Sequence, residues 1–159
     1  MKLAMQTRKL FPLSSLLITP LLVLAMSASA LAALGGGPAT IGEDRAHFNA
    51  KDEVTQAGPY AIHEMQLASG SRLREYVSTS GAVFAVSWVS PMRPDLKQLM
   101  GSYFSQYAQA IQQSSRRHGP VVVRTDGLVV ESAGHMRGFV GHAYIPSLMP
   151  QGVTVNDIR

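Results

Sequence analysis

Two short segments, Ala68-Ser69-Gly70 and Thr79-Ser80-Gly81, constrain this chain more than any other feature. They separate three runs, 60–67, 72–78 and 82–89, rich in β-branched and aromatic residues. Each puts glycine third, where a three-residue hairpin loop needs a left-handed backbone. Such loops fix register. Leu67 then faces Ser71, and the first hairpin pairs Glu64 with Arg74, His63 with Glu75 and Met65 with Leu73. The second pairs Tyr76 with Phe84, Arg74 with Val86 and Arg72 with Trp88. A slip of one residue would turn every side chain to the opposite face. One face is then expected to carry Tyr60, Ile62, Tyr76, Phe84, Val86 and Trp88, with Glu64, Arg72 and Arg74 at one end. The other carries His63, Met65, Leu73, Glu75, Val77, Val83, Ala85 and Val89. Arg72 beside Trp88 would give a cation–π contact of roughly 0.5–1 kcal/mol.

A helix follows. Pro91 and Pro94 end the third strand, and Asp95 suits a helix start. Leu96, Leu99, Met100, Tyr103, Tyr107, Ala110 and Ile111 recur at helical spacing, which predicts one amphipathic helix over 95–114. Lys97, Gln98, Gln106, Gln109 and Gln113 form its expected solvent face. Arg116, Arg117 and His118 complement the negative helix end, and Gly119-Pro120 stops it. Beyond it, 121–124 and 128–132 flank Thr125-Asp126-Gly127, a strong hairpin signal. A further strand is expected at 139–145 after a loop at 133–138, and a short one at 153–155. The fold class is α+β: an antiparallel sheet in the order βββαβββ with one long helix packed on it.

The domain occupies 59–159. Before it, 33–58 reads as a mostly irregular arm that opens on Ala33-Leu34 and a flexible Gly35-Gly36-Gly37. A short helix is expected at 40–48. Thr40 and Glu43 have the spacing of a capping box there, and Ile41 and Phe48 share one face. The first 32 residues read as a secretory leader. Lys2, Arg8 and Lys9 precede an apolar run over 10–26, and small residues at 27–32 fit a peptidase site, best cut after Ala32. The run is only 17 residues and contains Pro12 and Pro20, whereas a membrane span wants about 20. The chain therefore meets the membrane only through this leader.

Loss of the leader changes the charge argument. The whole chain carries 14 basic and 10 acidic residues, a net +4. Without Lys2, Arg8 and Lys9 it holds eleven basic residues against ten acidic, a net charge of about +1. Arg116-Arg117 is then the only adjacent basic pair, which argues against nucleic acid as a partner. Cysteine is absent, so there is no disulfide, thiol nucleophile or thiolate metal site.

Several stretches carry a resemblance. They are Ala33-Leu34-Gly35-Gly36, Arg74-Glu75-Tyr76-Val77 leading to 83–88, and 94–104 from Pro94-Asp95-Leu96 to Tyr103-Phe104. Gly134-His135-Met136-Arg137, Tyr144-Ile145-Pro146 and Leu148-Met149-Pro150 extend it. Together they resemble an exported-protein family of Gram-negative bacteria known as domain of unknown function 2844. The resemblance covers almost the whole chain after the leader and implies an exported single-domain protein. It implies no reaction, ligand or catalytic residue.

Three readings of function stay open. The leading one is an exported non-catalytic domain that binds a partner in the periplasm or cell envelope. No G-x-S-x-G, H-E-x-x-H or phosphate-loop spacing occurs, no cofactor is called for, and one helix leaves a sheet face to be covered. The alternative is a small hydrolase-like enzyme. His63 held by Glu75 is the arrangement of a general base, with Ser87 as the available nucleophile. The third is a copper site built from His63 and Met65 with His135 and Met136, since soft thioethers select Cu(I). The plain reading of the same residues is structural: a self-satisfied polar pair and methionines that fill the core.

Overall fold

A computed structural model describes residues 33–114, 119–136 and 138–158. Seven antiparallel strands form one sheet in the order β1-β2-β3-β4-β7-β6-β5. They are β1 (Lys51–Ala57), β2 (Tyr60–Gln66), β3 (Arg72–Ser78), β4 (Val83–Ser90), β5 (Val121–Arg124), β6 (Val129–His135) and β7 (Gly138–Tyr144). Helix α1 (Pro38–His47) precedes the sheet. Between β4 and β5 run α2 (Leu96–Met100), a 3-10 turn and α3 (Phe104–Gln113). The class is α+β as expected, but the element order is αββββαβββ rather than βββαβββ.

The extra strand is β1. Residues 33–58 are not an irregular arm: α1 occupies 38–47, and β1 pairs along all of β2 from Lys51↔Gln66 to Ala57↔Tyr60. Its sequence, KDEVTQA, is polar because it is an edge strand, where charges block pairing with another chain. Helix α1 starts on Pro38, whose missing N–H costs nothing at that position. The expected capping box is not used; Thr40 Oγ1 donates to the Gly37 carbonyl at 2.7 Å. Ile41 is buried and Phe48 packs on the same cluster, as their spacing predicts.

Both hairpin loops form as read. Gly70 and Gly81 have φ of +82° and +86°, and Leu67 N–H donates to Ser71 O at 2.9 Å. The β2–β3 register matches throughout, including His63↔Glu75 and Met65↔Leu73. The β3–β4 register begins as predicted with Val77↔Val83, then shifts by one at a bulge, so Tyr76 meets Ala85 and Leu73 meets Trp88. A bulge inserts one residue, here Phe84, and reverses the facing of everything beyond it. Val86 and Trp88 therefore join Met65 and Leu73, while Ala85 and Val89 go to the other side. Arg72 faces Val89, and the expected Arg72–Trp88 contact does not form.

The bulge sorts the sheet into two faces. The helices cover the face with Met65, Leu73, Val86, Trp88, Val130 and Ala143, and Leu34, Ile41, Leu99 and Met100 complete that core. On the other face Tyr76, Phe84 and Ala85 pack under Ile158, with Leu148, Met149 and Val153 around them. The C-terminal segment that supplies this cover has no strand at 153–155; it turns as a 3-10 helix at Val155–Asp157, capped by Thr154. It covers one end only, leaving Val89, Val122 and Val140 exposed at the other. The loop expected at 133–138 is shorter, since β6 continues to His135.

The long helix is interrupted. Asp95 accepts the Gln98 N–H at 3.0 Å and starts α2, but Gly101 adopts a positive φ and bends the path before α3 begins. The apolar stripe survives: Leu99, Met100 and Tyr107 are buried. The predicted solvent face does not survive whole. Gln98 reaches Asp44, and Gln106 Nε2 donates to Thr125 Oγ1 at 2.7 Å. Arg116, Arg117 and His118 lie outside the described residues; Gly119 has a positive φ but is not the helix stop, because α3 ends at Gln113 with Ser114 already extended.

Candidate functional site

On the helix-covered face, the β1–β3 end of the sheet carries polar groups among its apolar ones. Glu75 on β3 and Asp44 on α1 are both fully buried, and their carboxyls hydrogen-bond each other. Two carboxylates cannot do so; one must keep its proton. Burial pushes Glu75 up to about 9, and the neighbouring Asp44 and Asp52 push the same way. Burial also raises Asp44, but Gln98, which donates to its Oδ1, favours the ionised form. Glu75 is thus the proton holder and Asp44 the acceptor.

His63 lies across from Glu75 on β2, as the hairpin loop requires. Its ring does not bond Glu75. His63 Nδ1 meets Asp52 Oδ2 at 3.1 Å, an edge-strand carboxylate placed by the unexpected β1. Ser87 lies on the opposite face of the sheet, where its Oγ is 3.3 Å from the Tyr76 hydroxyl. His63 and Glu75 are neighbours, and Ser87 is separated from both by the sheet. The bulge is the reason, because the unshifted register would have put Ser87 on their side.

The His/Met residues are also dispersed. Met65 is fully buried in the core beside His63, whereas His135 and Met136 form the exposed β6–β7 turn far across the seven-stranded order. His135 Nδ1 bonds the Met136 carbonyl at 3.1 Å. Among the described residues no group of three or more His, Asp or Glu could hold a metal ion.

A second site was not read from the sequence. Between α3 and the β5–β7 end of the sheet lies a groove of about 1070 Å³, lined by Phe104, Tyr107, Ile111, Val121, Val123 and Phe139. Its floor exists because β6 carries Gly134, over which the Phe139 ring folds: a Cβ there would sit 2.4 Å from the ring. Arg93, Lys97 and Arg124 also line it, with Asp95 as the one acid. Arg124 bonds Glu131 and Asp95 pairs with His47, while Arg93 and Lys97 have no ion pair among the described residues. The Tyr107 hydroxyl is raised by burial, and Arg93 is close enough to oppose that rise. The groove thus combines an aromatic and aliphatic wall with two cations that are unpaired among the described residues. The half-exposed Ile111 was the available signal: it falls at the end of the helical stripe, where a core residue should be covered.

The family described as Protein of unknown function (DUF2844) matches residues 30–158. The chain belongs to that family. The match begins just before Ala33 and takes in α1, all seven strands and the C-terminal turn, so both the carboxyl cluster and the groove lie inside it. No curated protein and no solved structure matches the chain.

Proposed function

We propose that this protein is an exported, non-catalytic binding domain whose groove between α3 and the β5–β7 end of the sheet receives a partner in the periplasm or cell envelope. One observation carries the reading: a groove of about 1070 Å³ with an aromatic and aliphatic wall is left open by the described residues, whose helices cover the rest of that face. Specific sites are concave, mostly apolar and marked by a few polar groups. Here the polar groups are cationic. The matching occupant is a protein segment that presents apolar side chains beside a carboxylate, with Arg93 and Lys97 meeting the charge. Each half-exposed ion pair adds little on its own, so the apolar wall supplies affinity and the cations supply orientation.

In-cell photocrosslinking tests this. A photoreactive aromatic residue in place of Ile111 is expected to give one discrete adduct in the envelope fraction of the native host. The adduct should weaken when Arg93→Glu is added, and the same residue at exposed Gln66 should not form it. An identical adduct pattern from both positions, or none from Ile111, would refute the groove as the binding site.

A further inference from the structure

Ala33 and Leu34 are built into the core, and Gly35 and Gly36 are tied to β4 at the core's edge. Ala33 and Leu34 are 0% and 1% exposed. Leu34 N–H donates to Leu99 O at 3.2 Å, Gly35 N–H to Val83 O at 2.8 Å, and Val83 N–H returns a bond to Gly36 O at 3.0 Å. The expected flexible glycine opening is therefore pinned between α2 and β4. The backbone nitrogen of Ala33 has an unusual neighbour: it lies beside the buried Asp44 carboxyl, which Gln98 reaches from the position next to the Leu99 carbonyl that Leu34 binds.

That carboxyl sits in a buried, electrically unbalanced place. Asp44 meets Glu75 from β3, Gln98 from α2 and, along its own helix, His47, whose imidazole is paired with Asp95. Glu75 meets Asp52 from β1 and faces His63 on β2, whose ring is engaged by Asp52. No lysine or arginine among the described residues acts on either carboxyl. Asp44 Oδ2 and both Glu75 oxygens have no hydrogen-bond donor apart from the proton the two carboxyls share. A shared proton removes one negative charge and leaves the other, and a buried charge without a counter-charge is strongly unfavourable.

We propose that cleavage between Ala32 and Ala33 supplies the missing cation: the new α-ammonium of Ala33 stays where the amide nitrogen lies and forms a buried ion pair with Asp44 beside Glu75. The inference rests on the reading of residues 1–32 as a leader removed during export. Hydrolysis by the exporting cell's peptidase breaks the Ala32–Ala33 C–N bond. Water supplies the hydroxyl to the Ala32 carbonyl carbon and a proton to the Ala33 nitrogen, and the amine takes one further proton from solvent. One N–H donor becomes three, beside a carboxyl pair of which three oxygens lack any donor but the shared proton. Ala28-Ser29-Ala30 also has the small-x-small spacing of a peptidase site, and a cut after Ala30 would put the ammonium about 7 Å of chain further out, so the site distinguishes the two cuts. Processing then stabilises the exported form over the uncleaved one.

The test compares the exported chain with the same chain carrying one glycine ahead of Ala33. Mass spectrometry of the exported protein first gives its amino terminus, expected at Ala33. Acylation of the α-amine by acetic anhydride at pH 7.5 is then followed by peptide mapping. The Ala33 amine should react at least about tenfold more slowly than the glycine-extended one, since each unit of raised pKa removes tenfold of the free amine. Asp44→Asn should restore much of the reactivity. If that variant does not fold, thermal unfolding of the two starts carries the test, with the Ala33 start melting higher at pH 7. A start at Leu31 would overturn the inference and leave the leader reading standing, and a start at Met1 would overturn both. A start at Ala33 with equal acylation rates and equal Tm would overturn the inference alone.

Discussion

Glu75→Gln should make the fold more stable at neutral pH and nearly indifferent to pH. The folded carboxyl is raised from an ordinary 4.5 to about 9, chiefly by burial and then by Asp44. The unfolded chain loses this proton near 4.5 and the folded one holds it to about 9. Between those values the native state binds one proton more than the unfolded state, so unfolding free energy falls by about 1.4 kcal/mol per pH unit. The stabilisation is complete below the unfolded pKa and is lost as pH rises toward the folded one. At pH 7 holding the proton costs roughly 3 kcal/mol. Glutamine keeps the shape and offers an N–H donor to Asp44 without needing that proton, so it should recover most of this cost. Trp88, the single tryptophan, is 1% exposed and reports global unfolding by fluorescence. Urea unfolding at pH 5.5, 6.5 and 7.5 should show the slope in the chain from Ala32 onward and a flat profile in Glu75→Gln. Parallel profiles, or a destabilised variant, would refute a protonated Glu75. In the chain that begins at Ala33, the added ammonium should move the upper end of the sloping window to lower pH.

Two further substitutions test packing. Gly141→Ala would place a Cβ 2.5 Å from the Trp88 ring and 2.6 Å from the Glu131 carbonyl oxygen, inside a central strand. A loss of about 1–3 kcal/mol is expected in the same urea assay, and an unchanged midpoint would contradict the packing of β7 on Trp88. Leu99→Asp buries an unpaired charge and should abolish the folded circular dichroism spectrum, whereas exposed Gln109→Asp should change the midpoint by less than about 0.5 kcal/mol. Equal effects would mean that the helix stripe is wrongly phased.

The sequence by itself determined the features whose causes are local. Glycines third in two loops set left-handed turns, and those turns fixed the β2–β3 register down to His63 opposite Glu75. The stripe from Leu99 to Tyr107 and the Asp95 cap defined where the helical run begins and what it buries. Alternation and the Asp126-Gly127 turn marked β5, β6 and β7. What depends on a partner elsewhere in the chain was not readable. β1 is polar because it is an edge, and it became a strand only because β2 offered a free ladder. The bulge at Phe84 leaves no local signal, since β4 is apolar at every position from Val83 to Val86 and alternation cannot set its facing; β7 pairing on the far side of β4 and the aromatic cluster of Tyr60, Tyr76 and Phe84 accompany the shift. That one extra residue moved Trp88 into the helix-covered core and Ser87 away from His63. The groove likewise belongs to the tertiary structure alone, because a stripe of apolar residues specifies what must be covered and not how completely a neighbouring element covers it. The same holds for Asp44 and Glu75: 31 positions apart in the chain, they share a proton only because α1 folds back over β3 and excludes the water that would otherwise keep both ionised.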